Sequence, residues 1–137
     1  MVTPPRPDRD RRIFGRLTMA QLPVHVAVAD GGEVSICSMD LIDMSMTGAG
    51  LHHDRSVKTG ASVVIRIEPD DRRGMLPLPG RVLYCRPEGG DEGRWFVGIG
   101  FGTLESDTHA RLARWLFVQH HRRAAGRERR QAAASAE

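Results

Sequence analysis

The sequence predicts an all-β fold: a small antiparallel β-barrel closed by one C-terminal amphipathic α-helix. Three observations predict it. About six short apolar runs follow one another between residues 22 and 101, with turn residues between them. No helical period separates these runs, which excludes a parallel sheet built on crossover helices. Helical spacing occurs once, after Ser106, and glycines in the strand runs supply the kinks that a small closed barrel needs.

The first run, Leu22–Ala29, alternates: Val24, Val26 and Val28 point one way, His25 and Ala27 the other. Asp30-Gly31-Gly32 is a tight-turn signal and predicts a hairpin into Val34–Ile42. In that second run Val34 and Ile36 keep one phase while Met39 and Leu41 keep the other. A bulge or bend near Cys37-Ser38 would reconcile the two phases. Gly50–His53 reads as a short strand and Ala61–Ile67 as the next, with Val63, Ile65 and Ile67 on one face. Leu76–Arg86 is longer, and Pro77 and Pro79 mark its first half as an edge. Trp95–Phe101 closes the set. Val97, Ile99 and Phe101 share one face there, and Gly98, Gly100 and Gly102 the other, where close approach or curvature is expected.

Ser106 reads as the helix N-cap, with Asp107 in the first turn. Leu112, Trp115 and Leu116 fall at i, i+3 and i+4 on an apolar face, and Arg122-Arg123 suit the C-terminus. Residues 1–10 carry three prolines with alternating Arg and Asp, which reads as a flexible leader. The domain is expected over 11–123, and 124–137 as a basic tail that frays for want of an apolar face.

With 137 residues there is room for one domain with a modest core. No apolar run reaches the roughly 18 residues of a membrane helix, and the N-terminus lacks the hydrophobic core of a secretory signal, so a cytoplasmic location is expected. Cys37 and Cys85 lie in separate strands and read as buried free thiols. The net charge of +3 is unevenly placed. Residues 1–16 hold five Arg against two Asp, and 122–137 hold five Arg against two Glu. The body between them has ten basic and thirteen acidic residues. Cations at the ends of an acidic body favour a small anionic ligand gripped by a terminal arm over a polyanion lying on a folded face.

Two clusters carry chemistry. Arg11, Arg12 and Arg16 precede the first strand and offer charged, planar forks for phosphate oxygens and base stacking. Asp43-Met-Ser45-Met-Thr-Gly48-Ala-Gly50 follows the second strand. Its carboxylate can accept two hydrogen bonds from a guanine edge, its hydroxyl can donate or accept, and its glycines allow close approach. The same residue types also make an ordinary polar turn. Taken together, the clusters describe a receptor for a guanine nucleotide that carries phosphates.

Here the sequence resembles the PilZ domain family, over Arg11 to about Arg123. The motif R-x-x-x-R is met by Arg12-Ile-Phe-Gly-Arg16, and D/N-x-S-x-x-G by Asp43-Met-Ser-Met-Thr-Gly48, which begins 31 positions after Arg12. The resemblance implies a six-stranded antiparallel barrel that binds cyclic di-GMP. It implies that Arg12 and Arg16 hold phosphates and stack on guanine, that Asp43 and Ser45 bind a guanine edge, and that Gly48 lets the base approach. Arg11, directly before the motif, bears on whether one ligand or a stacked dimer is held. Gly50 and Trp95 are further candidates, although Trp95 also reads as a core aromatic of the last strand.

The position of Arg11–Arg16 between a leader and the first strand, with Gly15 as a hinge, predicts a receptor or adaptor whose arginine arm clamps down on binding and which signals to a partner protein. Two other classes compete with it. One is a PilZ-like interaction module that binds no nucleotide; the intact motifs argue against it. The other is a small-barrel nucleic-acid binder; the acidic body and a near absence of exposed aromatic platforms argue against it. The helix segment Arg111–Phe117 loosely resembles the helix after the PilZ barrel of bacterial cellulose synthases, so a fragment of a polysaccharide synthase is a further alternative. Catalysis is not expected: there is no nucleophile with an obvious base, no Walker lysine and no G-x-S-x-G. His52-His53, His109 and His120-His121 lack a metal-ligand spacing.

Overall fold

The computed structural model describes residues 17–69, 71–89 and 93–135. Among the described residues, six strands and one helix follow in chain order. They are β1 (Leu17–Asp30), β2 (Glu33–Met44), β3 (Gly48–His53), β4 (Ser62–Ile67), β5 (Leu76–Pro87), β6 (Trp95–Phe101) and α1 (Ser106–Ser135). All pairings are antiparallel, and the strands close into a barrel in the order β1-β2-β3-β6-β5-β4.

Alternation decides which side chains fill the barrel. Val24, Val26 and Val28 of β1, Val63, Ile65 and Ile67 of β4, and Val97 and Ile99 of β6 are all buried, as their period of two requires. Gly31 (φ 59°) and Gly32 (φ 89°) are the two central residues of the β1–β2 hairpin, whose last pair is Asp30 with Glu33. Positive φ at both central positions is the twist-matched two-residue turn that glycine adopts without strain.

β2 differs from the expectation. Its register with β1 is unbroken from Asp30↔Glu33 to Leu22↔Leu41, so no bulge lies at Cys37-Ser38. Met39 and Leu41 face the core, whereas Val34 (68% exposed) and Ile36 (63% exposed) stand on the outside. The irregularities fall nearer the turn that follows β2. One lies in β1 between Thr18 and Leu22, where Gln21 has a φ of 39°. The other lies in β2 between Leu41 and Asp43. Pro77 and Pro79 do sit on a one-sided stretch: β5 pairs with β4 from Leu76, but with β6 only from Gly80.

α1 buries Leu112, Trp115 and Leu116 against the barrel core. Its first helical hydrogen bond runs from the His109 N–H to the Glu105 carbonyl, so Glu105 holds the cap position and Ser106 stands one place inside. The helix continues past Arg123 to Ser135, into the segment expected to fray. Ala, Arg, Gln and Glu dominate that segment, and these are strong helix formers that need no buried face to favour the helical backbone.

The β4–β5 connection is clasped to the helix. Arg111 donates to both Asp71 oxygens (Nε 2.9 Å, Nη2 3.2 Å) and to the Gly74 carbonyl (2.9 Å). Arg73 donates to both oxygens of Asp107 at 3.0 Å. Cys37 and Cys85 are free and half-buried. Among the described residues no helix is long and apolar enough to cross a membrane.

Candidate ligand-binding site

The β2–β3 hairpin is built by its own polar residues. The Ser45 N–H donates to the Gly48 carbonyl (2.9 Å), and the Thr47 N–H donates to Ser45 Oγ (3.2 Å). The hydroxyls of Ser45 and Thr47 lie 3.2 Å apart. The Phe101 N–H then donates to the Thr47 carbonyl (2.8 Å) and pins the turn against β6. Ser45 is buried, so its hydroxyl serves the turn, in the local bonding that Ser favours. Gly48 has a different reason to be glycine. A Cβ there would overlap the carbonyl oxygen of Ile99, so the residue lets β6 close onto β3.

The register change between Leu41 and Asp43 aims Asp43 away from the core. Cross-strand pairs then align Thr18, Asp43, Gly50, Gly98 and Tyr84 over five strands. The Asp43 carboxylate leans over Gly50. A Cβ on Gly50 would lie 3.0 Å from Asp43 Oδ1 and 2.7 Å from Phe96 Cζ. A Cβ on Gly98 would overlap the Tyr84 ring. Two glycines thus form a floor on which a carboxylate and two aromatic rings are laid.

A second aligned row, Asp40, His52, Phe96 and Arg86, borders the first. Phe96 stacks on Tyr84 with centroids 5.9 Å apart and planes 17° apart. The Arg86 guanidinium carbon lies 5.2 Å from the Phe96 centroid and 5.5 Å from that of Tyr84, within cation–π range of both. The surface therefore offers a hydrogen-bond acceptor beside a pair of aromatic rings, with a cation lying over both rings. It suits a planar, donor-rich ring.

Of the residues expected in the site, Asp43 and Gly50 meet directly, while Ser45 and Gly48 shape the turn beside them. Arg11, Arg12 and Arg16 lie outside the described residues. Trp95 pairs with His53 and Pro87 and shares the phase of core-facing Val97 and Ile99, so it does not join the Asp43 face. Phe96, its neighbour, takes that place. Against the expected near absence of exposed aromatic platforms, Tyr84 and Phe96 form an aromatic stack on this face. The alternation of β6 already put Phe96 opposite Val97. The outward turn of Tyr84 was hidden, because it follows an irregularity of β5 between Val82 and Tyr84.

The PilZ domain family matches residues 10–118. The chain belongs to that family. Among solved structures, the PilZ domain of CeSA from a cellulose-synthesizing bacterium is 28% identical, with a TM-score of 0.58, covering 78% of this chain and 99% of that one. The PilZ domain of Escherichia coli YcgR, solved with c-di-GMP, is 14% identical, with a TM-score of 0.63 and coverages of 83% and 95%. A tetrameric PilZ protein of Xanthomonas campestris is 22% identical, with a TM-score of 0.53, matching 71% of this chain and 51% of that one. No curated protein matches the sequence. The likeness to YcgR and to the Xanthomonas protein is one of fold. The PilZ match spans both the arginine segment and the Asp43 turn, so the two motifs lie within one domain.

Proposed function

We propose that this PilZ domain is a receptor for cyclic di-GMP. The observation that carries the proposal is the Asp43 carboxylate held over Gly50 beside the Tyr84–Phe96 stack. Asp43 accepts hydrogen bonds from a guanine edge, and the stack flanks the base, in the sequence-tolerant way that aromatic faces hold bases. Ser45 and Gly48 keep the turn that aims Asp43. The pairing of Thr18 with Asp43 starts β1 beside this turn, two residues after Arg16 in sequence. That tether supports Arg12 and Arg16 as the phosphate-holding and base-stacking groups. Arg11 adds the charge for a second ligand in a stacked dimer.

The ligand assignment draws support from relatives of the same fold, YcgR and the Klebsiella MrkH complex, both described with c-di-GMP. In this reading the arginine segment closes on the phosphates with Gly15 as hinge, and the altered surface engages a partner protein. Calorimetric titration with cyclic di-GMP, GTP and an oligonucleotide tests it. Saturable heat with cyclic di-GMP is expected. Absence of that heat overturns the reading in favour of a ligand-free interaction module, and strong salt-dependent oligonucleotide binding would favour a nucleic-acid module. The arm is tested by NMR order parameters at Ile13 and Phe14, which should rise on ligand addition.

A further inference from the structure

His52 stands on the outer face of β3, two residues beyond Gly50, and both its ring nitrogens are engaged. Arg94 Nη2 lies 2.6 Å from Nδ1, and Glu88 Oε1 lies 2.9 Å from Nε2. A guanidinium only donates, so Nδ1 accepts and Nε2–H donates to the carboxylate. Both partners come from the β5–β6 connection, which the Glu88 N–H closes by donating to the Arg94 carbonyl (2.9 Å). The imidazole is therefore fixed at two points, and its edge meets Phe96, with centroids 5.8 Å apart and planes at 75°. Phe96 in turn is the ring whose Cζ covers Gly50 beside Asp43.

We infer that His52 is a positioning residue for the ligand site: it holds Phe96 over Gly50, so that the ring and the Asp43 carboxylate form one wall. The inference rests on the cyclic di-GMP reading for its consequence, but its geometry stands without ligand. Phe96 touches an aromatic neighbour on either side. Tyr84 stacks on it, and His52 meets it at a T-shaped contact. Tyr84 is itself exposed, so the support that is anchored by hydrogen bonds is His52. The same contacts link the site to the β5–β6 connection. A base that displaces Phe96 must press on an imidazole held by Glu88 and Arg94, which would carry ligand occupancy to that loop. Nothing in this arrangement requires His52 to touch the ligand.

A double-mutant cycle reads this directly. His52→Ala should weaken cyclic di-GMP binding about tenfold, within the range for contacting residues. In a Phe96→Ala background the same change should cost less than about twofold, because no ring remains to be positioned. Equal losses in both backgrounds overturn the inference and leave His52 with a merely structural or direct role. Glu88→Gln keeps an acceptor for Nε2–H and should bind like the wild type. A second readout needs no ligand: the Gly50 Hα chemical shift, which reports the ring current of Phe96. His52→Ala should move it and Glu88→Gln should not. If the wild type fails to bind cyclic di-GMP, the receptor reading falls and this shift alone decides the positioning role. An unmoved Gly50 signal in folded His52→Ala overturns it.

Discussion

Asp43 and Gly50 are paired across the β2–β3 ladder, and the carboxylate of one occupies the space that a side chain on the other would need. The conflict at Gly50 is with movable groups, a carboxylate and the tip of a ring. At Gly48 it is with the Ile99 backbone carbonyl. The two glycines should therefore respond differently to the same change. Gly50→Ala should lose less stability than Gly48→Ala and should lose ligand binding, because Asp43 and Phe96 must move aside. Gly48→Ala should destabilise by about 1–3 kcal/mol, the usual cost of forcing an extra methyl into a packed site. Thermal unfolding and calorimetric titration of both variants check the pair. Equal destabilisation would contradict the division.

Asp43 itself is half-buried on the outer face, so Asp43→Ala should leave the barrel folded and weaken cyclic di-GMP binding by more than about 1.5 kcal/mol, the lower scale for a charged hydrogen bond. Arg16→Ala should do the same, for the opposite charge. Circular dichroism of each variant must match the wild type for the comparison to hold. If Asp43→Ala unfolds the barrel instead, Asp43 is a turn residue and nothing more.

Much of this fold was legible because period-two alternation is a backbone property. Val24, Val26 and Val28, or Val97 and Ile99, declare their face without tertiary help. The motif Asp43–Gly48 was legible too, but the physical roles within it were not. Ser45 bonds inside the turn and Gly48 yields to a backbone carbonyl, and both facts depend on where β6 passes. Tyr84 and Phe96 join through a strand irregularity and a non-local pairing, and neither leaves a local signature. The helix continues to Ser135 on intrinsic propensity alone, which the missing apolar face does not override.

The unbroken β2 register makes a further prediction. The rule that apolar residues seek the core put Val34 and Ile36 inside, yet the pairing puts them in solvent. Val34→Thr and Ile36→Thr should each change stability by no more than about 0.5 kcal/mol, as exposed sites do. Leu41→Ala, fully buried in the same strand, should cost about 2–5 kcal/mol. Urea unfolding of the three variants distinguishes the two faces. A large loss at Ile36 would mean that its side chain is packed after all.

The clasp between Asp71 and Arg111 should appear in the pH dependence of stability. The side-chain hydrogen bonds from Arg111, and then the Arg73 N–H, hold the Asp71 carboxyl below its ordinary value of 3.8, and the same pairing raises Arg111. A carboxyl that is more acidic folded than unfolded stabilises the native state at pH values above its unfolded pKa. That stability is lost as pH falls through the lower folded pKa, so the window opens below about pH 4. Little of the pair meets solvent, with Arg111 10% and Asp71 16% exposed in their side chains, so salt should screen it only weakly. Asp71→Asn removes the charge and should be less stable than wild type at pH 7. The gap should hold down to about pH 4 and shrink below it, as the wild-type carboxyl takes up its proton. Denaturant unfolding of both proteins from pH 7 to pH 2.5 measures the gap. A gap that stays constant across the acid limb would show that Asp71 acts by its hydrogen-bonding shape alone, with no contribution from its charge.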